Sequence, residues 1–165
     1  MRLQNIEPMI IRQATKDDVS SILFLIKELA TFEKEPDAVV VTEQELLENG
    51  FGNQPLFQTI VAEMAGEIVG MALFYYRFSS WKGKTLHLED LIVQQKHRGK
   101  GVGLALYKAF IQTADQLGVR RIEWVVLNWN KTAIDFYEKS GAKILADWQT
   151  VQMAQENIKQ FISEN

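Results

Sequence analysis

Arg98-Gly99-Lys100-Gly101-Val102-Gly103 stands between an apolar run, Leu91-Ile92-Val93, and an apolar-periodic segment, residues 104–117. Read outward, the order is strand, tight glycine loop, helix. Glycines let backbone N–H groups turn inward with no Cβ in the way, and a helix N-terminus adds partial positive charge. Such a corner is suited to an anion, most simply a phosphate.

Two familiar phosphate loops do not fit. A Walker A loop ends in Gly-Lys-Ser/Thr, whereas Gly103 is followed by Leu104-Ala105. A Rossmann fingerprint has the spacing G-x-G-x-x-G and an acid at the end of the next strand. Here the spacing is G-x-G-x-G, and the next strand candidate, residues 121–127, runs into Leu127-Asn128. What does fit is Q/R-x-x-G-x-G/A, met by Arg98, Gly101 and Gly103. Taken alone, the hexapeptide is equally readable as a glycine-rich turn with a surface arginine.

With 165 residues, the chain is expected to form a single domain, residues 1–165, with 1–8 loosely ordered. A hydrophobic fraction of 47% and a charged fraction of 24% are ordinary for a globular protein. The net charge of -3 and the lack of a basic run argue against a nucleic-acid partner. No window has the apolar length of a membrane span, and the first residues lack an apolar signal core, so a cytoplasmic protein is expected. Without cysteine there is no thiolate nucleophile or thiolate metal site. His87 and His97 stand outside any metal-ligand spacing, so no metal is expected.

Met9 to Arg12 reads as a first strand. Asp17 and Asp18 open a helix carrying Ile22, Leu25, Ile26 and Leu29 at helical spacing. Thr42-Glu43-Gln44-Glu45 is a capping box for a second helix that stops near Asn49-Gly50. Residues 57–64 and 68–78 read as a hairpin around Ala65-Gly66-Glu67, with a third strand over 85–93. The glycine loop and its helix follow, and Gly118 ends that helix. Residues 121–127 read as a buried strand and 131–140 as a helix closed by Gly141. Residues 142–145 and 148–153 read as a final strand pair, and 154–163 as a terminal helix. The class is α/β, with helices on both faces of a sheet that is antiparallel early and has a parallel pair near the loop.

Glu89 and Asp90 are adjacent carboxylates in an apolar strand, a costly placement unless they are bonded or functional. Alternation groups Glu89 with His87 and Leu91, and Asp90 with Leu88 and Ile92. Without a bulge, only one of them faces a given cleft. Glu89 is the one read as functional; Asp90 is read as bonded by backbone N–H groups at a strand end. Tyr137 shares a helix face with Ala133 and Ile134, which suits a core aromatic; a phenol is also a competent general acid, because it keeps its proton at neutral pH. Asn130 reads as that helix's cap. The end of the first helix, Glu28 to Glu35, is either a solvated charged rim or an acidic lip for a cationic amine, with Phe32 or Trp81 giving cation–π contact.

The glycine loop, Leu88-Glu89-Asp90 before it and Asn130-x-x-Ala133-x-x-Phe136-Tyr137-x-x-x-Gly141-Ala142 after it occur together and in order. The combination resembles the GNAT superfamily of N-acetyltransferases. Phe32-Glu33-Lys34, Glu48-Asn49-Gly50-Phe51-Gly52, Trp81-Lys82-Gly83-Lys84 and Val126-Leu127-Asn128-Trp129-Asn130 resemble its diamine branch, the spermidine/spermine and thialysine N-acetyltransferases. The similarity spans nearly the whole chain. It implies a GNAT fold, a central mixed, twisted sheet of about seven strands flanked by helices and splayed between strands 4 and 5.

It also implies direct acetyl transfer from acetyl-CoA to a primary amine. Leu91, Ile92 and Val93 would present backbone groups to the pantetheine and thioester. Arg98, Gly99, Lys100, Gly101, Val102, Gly103 and Leu104 would hold the pyrophosphate, with Asn130 near the cofactor. Tyr137 would protonate the departing thiolate, and Glu89 would take the proton of the ammonium. Phe32, Glu33, Trp81 and Glu89 would contact a small cationic amine, and a homodimer is expected. The hairpin turn Ala65-Gly66-Glu67 and the segment 143–148 are both shorter than in the vertebrate branch, which leaves diamine, polyamine and lysine-like (thialysine) substrates open. A peptide or protein amine is the alternative acceptor, and a catalytically silent acyl-CoA-binding protein is the alternative outside enzymes.

Overall fold

The structure, a computed structural model, describes residues 8–164. The expected loose start lies outside these residues apart from Pro8. The chain divides into two compact units meeting at Val125 and Val126.

The first unit is built on a five-stranded sheet in sequential order. Its strands are β1 (Met9–Gln13), β2 (Gln58–Met64), β3 (Glu67–Ser79), β4 (Gly83–Val93) and β5 (Ile122–Glu123). The first four form an antiparallel meander, and β5 joins β4 in parallel. The β2–β3 turn is as tight as its sequence suggests. Ala65 and Gly66 both take positive φ, 52° and 77°, the twist that matches a two-residue hairpin loop.

Helices cover both faces. Val102, Leu106, Phe110 and Ala114 of α3 (Val102–Gln116) pack on Ile60, Ala62, Phe74, Leu86 and Leu88. On the other face, Val19, Ile22 and Leu25 of α1 (Val19–Phe32) and Leu46 of α2 (Glu43–Phe51) pack on Val61, Met71 and Ile92. Thr42 caps α2 in the expected box, its Oγ1 accepting from the Glu45 N–H at 3.2 Å while Glu45 accepts from the Thr42 N–H at 2.8 Å. At Gly70 a Cβ would come within 2.8 Å of the Ile92 carbonyl oxygen and 3.1 Å of Leu106. Only glycine lets the start of α3 lie so close to the sheet.

The second unit holds α4 (Lys131–Lys139) and α5 (Gln155–Glu164). Gly141, at φ 95°, ends α4 as expected. Three expectations change. The sheet among the described residues has five strands, not about seven. The strand over 121–127 shortens to Ile122–Glu123. The pair at 142–145 and 148–153 does not form: the stretch is irregular, and Leu145, Trp148 and Val151 are exposed. A strand needs a ladder partner for its backbone groups, and none of the described strands pairs with this stretch.

Candidate active site

The site is set by an irregularity in β4. Leu73 of β3 pairs with Asp90, but the next residue, Phe74, pairs with Leu88. Glu89 is therefore an extra residue, a β-bulge. Its effect shows in the packing. Leu88 and Leu91 both pack on the α3 side of the sheet, while Ile92 packs on the α1 side. The two residues between Leu88 and Leu91 both turn toward α1 and α2. Strict alternation would have divided the carboxylates; the bulge brings them together. Leu91 leaves the face that alternation shared with Glu89, and Asp90 leaves the face of Leu88.

Glu89 and Asp90 line one side of a cleft of about 420 Å³. Its walls are apolar: Ile26 of α1, Val41, Leu46 of α2, Leu56, Phe57 and Leu73, with Tyr75 beside the acids. The Tyr75 hydroxyl donates to Glu89 Oε2 at 2.8 Å. Burial and that carboxylate push the phenol up to about 12. His87 Nε2 lies 3.5 Å from the same Glu89 oxygen. Burial, chiefly, pushes the Asp90 carboxyl up to about 7, helped by the negative charges of Glu89 and Glu33. The Glu33 carboxyl, at the end of α1, is raised by burial. The backbone bonds expected for Asp90 are absent: among the described residues, no donor reaches its carboxylate. The arrangement is an apolar slot with an acidic end, a place for an ammonium group on an aliphatic chain.

The open edge of β4 lies beside it. Pairing with β5 covers only Leu86 and His87, matched to Ile122 and Glu123. Beyond His87, β4 runs to Val93 with no β5 partner, which is the splay expected between strands 4 and 5. Leu91, Ile92 and Val93 therefore keep alternate backbone groups for a ligand.

The glycine loop begins where β4 ends. Gly99 and Gly101 take φ of 74° and 83°, and nothing lies within 4 Å of a Cβ placed on either. Gly101 is the N-cap of α3, with no side chain closing it. The first bond of the helix runs from the Ala105 N–H to the Gly101 carbonyl, at 3.0 Å. The N–H groups of Val102, Gly103 and Leu104 precede it and point out of the helix end. The loop residues thus fit a pyrophosphate. Lys100 is exposed beside them. Arg98 donates from Nε to the Val93 carbonyl at 3.0 Å, and its guanidinium lies 4.9 Å over the Phe32 ring. A residue expected at the cofactor and one expected at the amine are therefore in contact.

Trp81 is not brought to this group. It sits in the β3–β4 turn, 80% exposed, and Glu89 lies six strand residues past Gly83, roughly 20 Å along β4. In the second unit, Asn130 Oδ1 accepts from the Ala133 N–H at 3.2 Å, so it caps α4. Tyr137 is buried, its ring 5.4 Å from that of Phe136. Sequence reasoning missed Tyr75, which looks like one more aromatic in an apolar strand, and undervalued Asp90. The bulge that gives both a role leaves no local signal.

The chain is similar to known proteins along most of its length. The acetyltransferase (GNAT) family matches residues 22–142. A thialysine N-epsilon-acetyltransferase from Bos taurus is 39% identical over 145 residues, which cover 83% of this chain and 85% of that one. Its counterpart from Caenorhabditis elegans is 35% identical over 153 residues, covering 91% and 94%. An integron cassette protein from the mobile metagenome of V. cholerae has the same fold, at a TM-score of 0.77 and 23% identity, over 93% of this chain and 97% of that one. The chain belongs to the acetyltransferase (GNAT) family, whose members draw the acetyl group from acetyl-CoA.

Proposed function

We propose that this enzyme moves an acetyl group directly from acetyl-CoA to a primary amine on a small diamine, polyamine or lysine-like (thialysine) substrate. The observation that carries the reading is the bulge in β4. It puts Glu89 and Asp90 on one side of an apolar cleft, where a methylene chain can lie against Ile26, Leu46 and Phe57 while its ammonium meets the acids. The names of the bovine and nematode relatives agree with an acceptor of that kind.

Acetyl-CoA supplies the activated acetyl thioester. Arg98 to Leu104 hold the pyrophosphate through backbone N–H groups and the start of α3. The open edge of β4 at Leu91, Ile92 and Val93 donates to the thioester carbonyl as it gains charge, which stabilises the transition state electrostatically. Glu89 takes the ammonium proton by way of water, because a protonated amine has no lone pair with which to attack. Glu33 and Asp90 hold the cation, and Phe32 borders it. Tyr137 gives its proton to the departing thiolate. Trp81, exposed at the far strand turn, takes no part in the cleft, and Asn130 already caps α4. The enzyme works as a homodimer, a second copy covering apolar surface such as Trp148 and Val151. Among the described residues, no helix is long and apolar enough to cross a membrane.

The test is thiol release from acetyl-CoA with spermidine, spermine, putrescine, thialysine, lysine and a peptide bearing a free amine. Turnover on a diamine or on thialysine supports the reading and picks the branch. Turnover only on the peptide would replace the acceptor class, and no turnover despite acetyl-CoA binding would favour a silent binding protein.

A further inference from the structure

Behind Glu89, on the same face of the sheet, runs a row of charged and polar groups that amine recognition does not use. His87 Nε2 faces Glu89 Oε2 at 3.5 Å. The other ring nitrogen, Nδ1, is 3.4 Å from Nη1 of Arg77. Arg77 is fixed from behind by Glu123 at 2.5 Å, and Glu123 also faces Arg121 Nε at 2.9 Å. The His87 and Tyr75 rings lie with centroids 5.2 Å apart at 34°. The His87 side chain is only 12% exposed, while Glu89 is 51% exposed.

This order fixes the state of the imidazole. A guanidinium can only donate, so Nδ1 must accept, and the proton of the neutral ring sits on Nε2. Burial keeps the ring neutral by lowering its affinity for a second proton. The Nε2–H is therefore the ring's donor on the Glu89 side, 3.5 Å from the oxygen that Tyr75 already holds. Oε1 has no donor among the described residues. One carboxylate oxygen is turned to the sheet, and the other is left to take a proton.

We propose that His87, held in one tautomer by Arg77 and Glu123, is a positioning residue that orients Glu89 for proton transfer through Oε1. The inference rests on the reading of Glu89 as the base. Tyr75 and Arg77 of β3, Asp90 of β4, Glu123 of β5 with Arg121 beside it, and Glu33 at the end of α1 are the other charged or titratable groups facing this pair. An N–H directed at the ionised carboxylate favours that form. Its loss moves the rising limb of the pH–rate profile to higher pH.

The experiment is kcat/KM for the amine against pH in the full-length enzyme, for wild type, His87→Leu, His87→Gln, Arg77→Met and Glu89→Gln, with KM for acetyl-CoA as a control on folding. His87→Leu should lower kcat/KM about tenfold and shift the rising limb up by about half a pH unit. His87→Gln, which keeps an amide N–H near the place of Nε2, should restore most of both. Arg77→Met frees Nδ1 to carry the proton and should behave like His87→Leu. If Glu89→Gln abolishes the limb but His87→Leu and Arg77→Met leave it in place, the positioning role is refuted while Glu89 remains the base. If Glu89→Gln leaves the limb in place, the reading of Glu89 itself fails.

Discussion

Glu89 and Asp90 share one face of β4 although they are neighbours in the chain. Their surroundings differ. Asp90 is held up at about 7 by burial, whereas Glu89 keeps contact with solvent and a bond from Tyr75.

Glu89→Gln should cost about 100-fold or more in kcat/KM for the amine, the scale of a lost general base. Because the side chain is half exposed, thermal stability should change by about 0.5 kcal/mol at most. Steady-state rates and a melting curve on the same variant check both.

Asp90→Asn should stabilise the fold at neutral and alkaline pH. With its folded value raised to about 7, Asp90 binds its proton more tightly folded than unfolded, so stability falls as pH rises from about 4 toward 7. Above that the penalty is complete. At pH 8 the variant should gain on the order of 2 kcal/mol, allowing for the solvent that screens a part-exposed carboxylate, and below pH 4 the gain should vanish. Urea unfolding across pH 4–8 reads this directly.

Asp18 behaves in the opposite way. The Arg12 guanidinium grips it through Nη1 at 2.7 Å and Nη2 at 3.0 Å, and the Thr15 N–H adds a bond at 2.7 Å. These bonds, led by the one from Arg12, hold its carboxyl below the usual range. The stability it contributes is present above about pH 4 and is lost as pH falls through the folded value. Asp18→Asn should cost about 2 kcal/mol at pH 7 and less in acid, as measured by the urea midpoint.

Arg98 links two halves of the proposed chemistry by donating to the Val93 carbonyl and stacking over Phe32. Arg98→Ala should weaken acetyl-CoA binding about tenfold through the lost charge at the loop. Phe32→Leu should leave that affinity within about fivefold, because the stacking contact is worth only about 0.5–1 kcal/mol. Calorimetric titration with CoA separates the two.

Tyr137→Phe keeps the buried ring and removes only the hydroxyl. Turnover should fall about 100-fold with CoA affinity unchanged. Unchanged turnover would remove Tyr137 as the acid.

Features governed by local chemistry were legible in the sequence. The glycines of the 99–103 loop, the Thr42 box and the Ala65-Gly66 turn each carry their own geometry, and each stands where the sequence puts it. The bulge at Glu89 was not legible, because it depends on the register against Leu73 and Phe74, about fifteen residues away in the chain but adjacent in space. Strict alternation consequently tied Asp90 to Leu88 and parted it from Glu89, and it hid Tyr75. The expected strands at 142–145 and 148–153 failed for a related reason: their apolar residues suit a strand, yet pairing is a property of two segments, and a single segment cannot show whether its partner exists.

The centre of the account is direct transfer to an amine that Glu89 has deprotonated, in a chain with no cysteine to carry the acetyl group. Initial rates with acetyl-CoA and the best amine both varied test it most directly. Intersecting reciprocal plots, with no acetyl group retained on the protein by intact mass, are predicted. Parallel plots with a stable acetyl-protein formed before the amine is added would contradict the account.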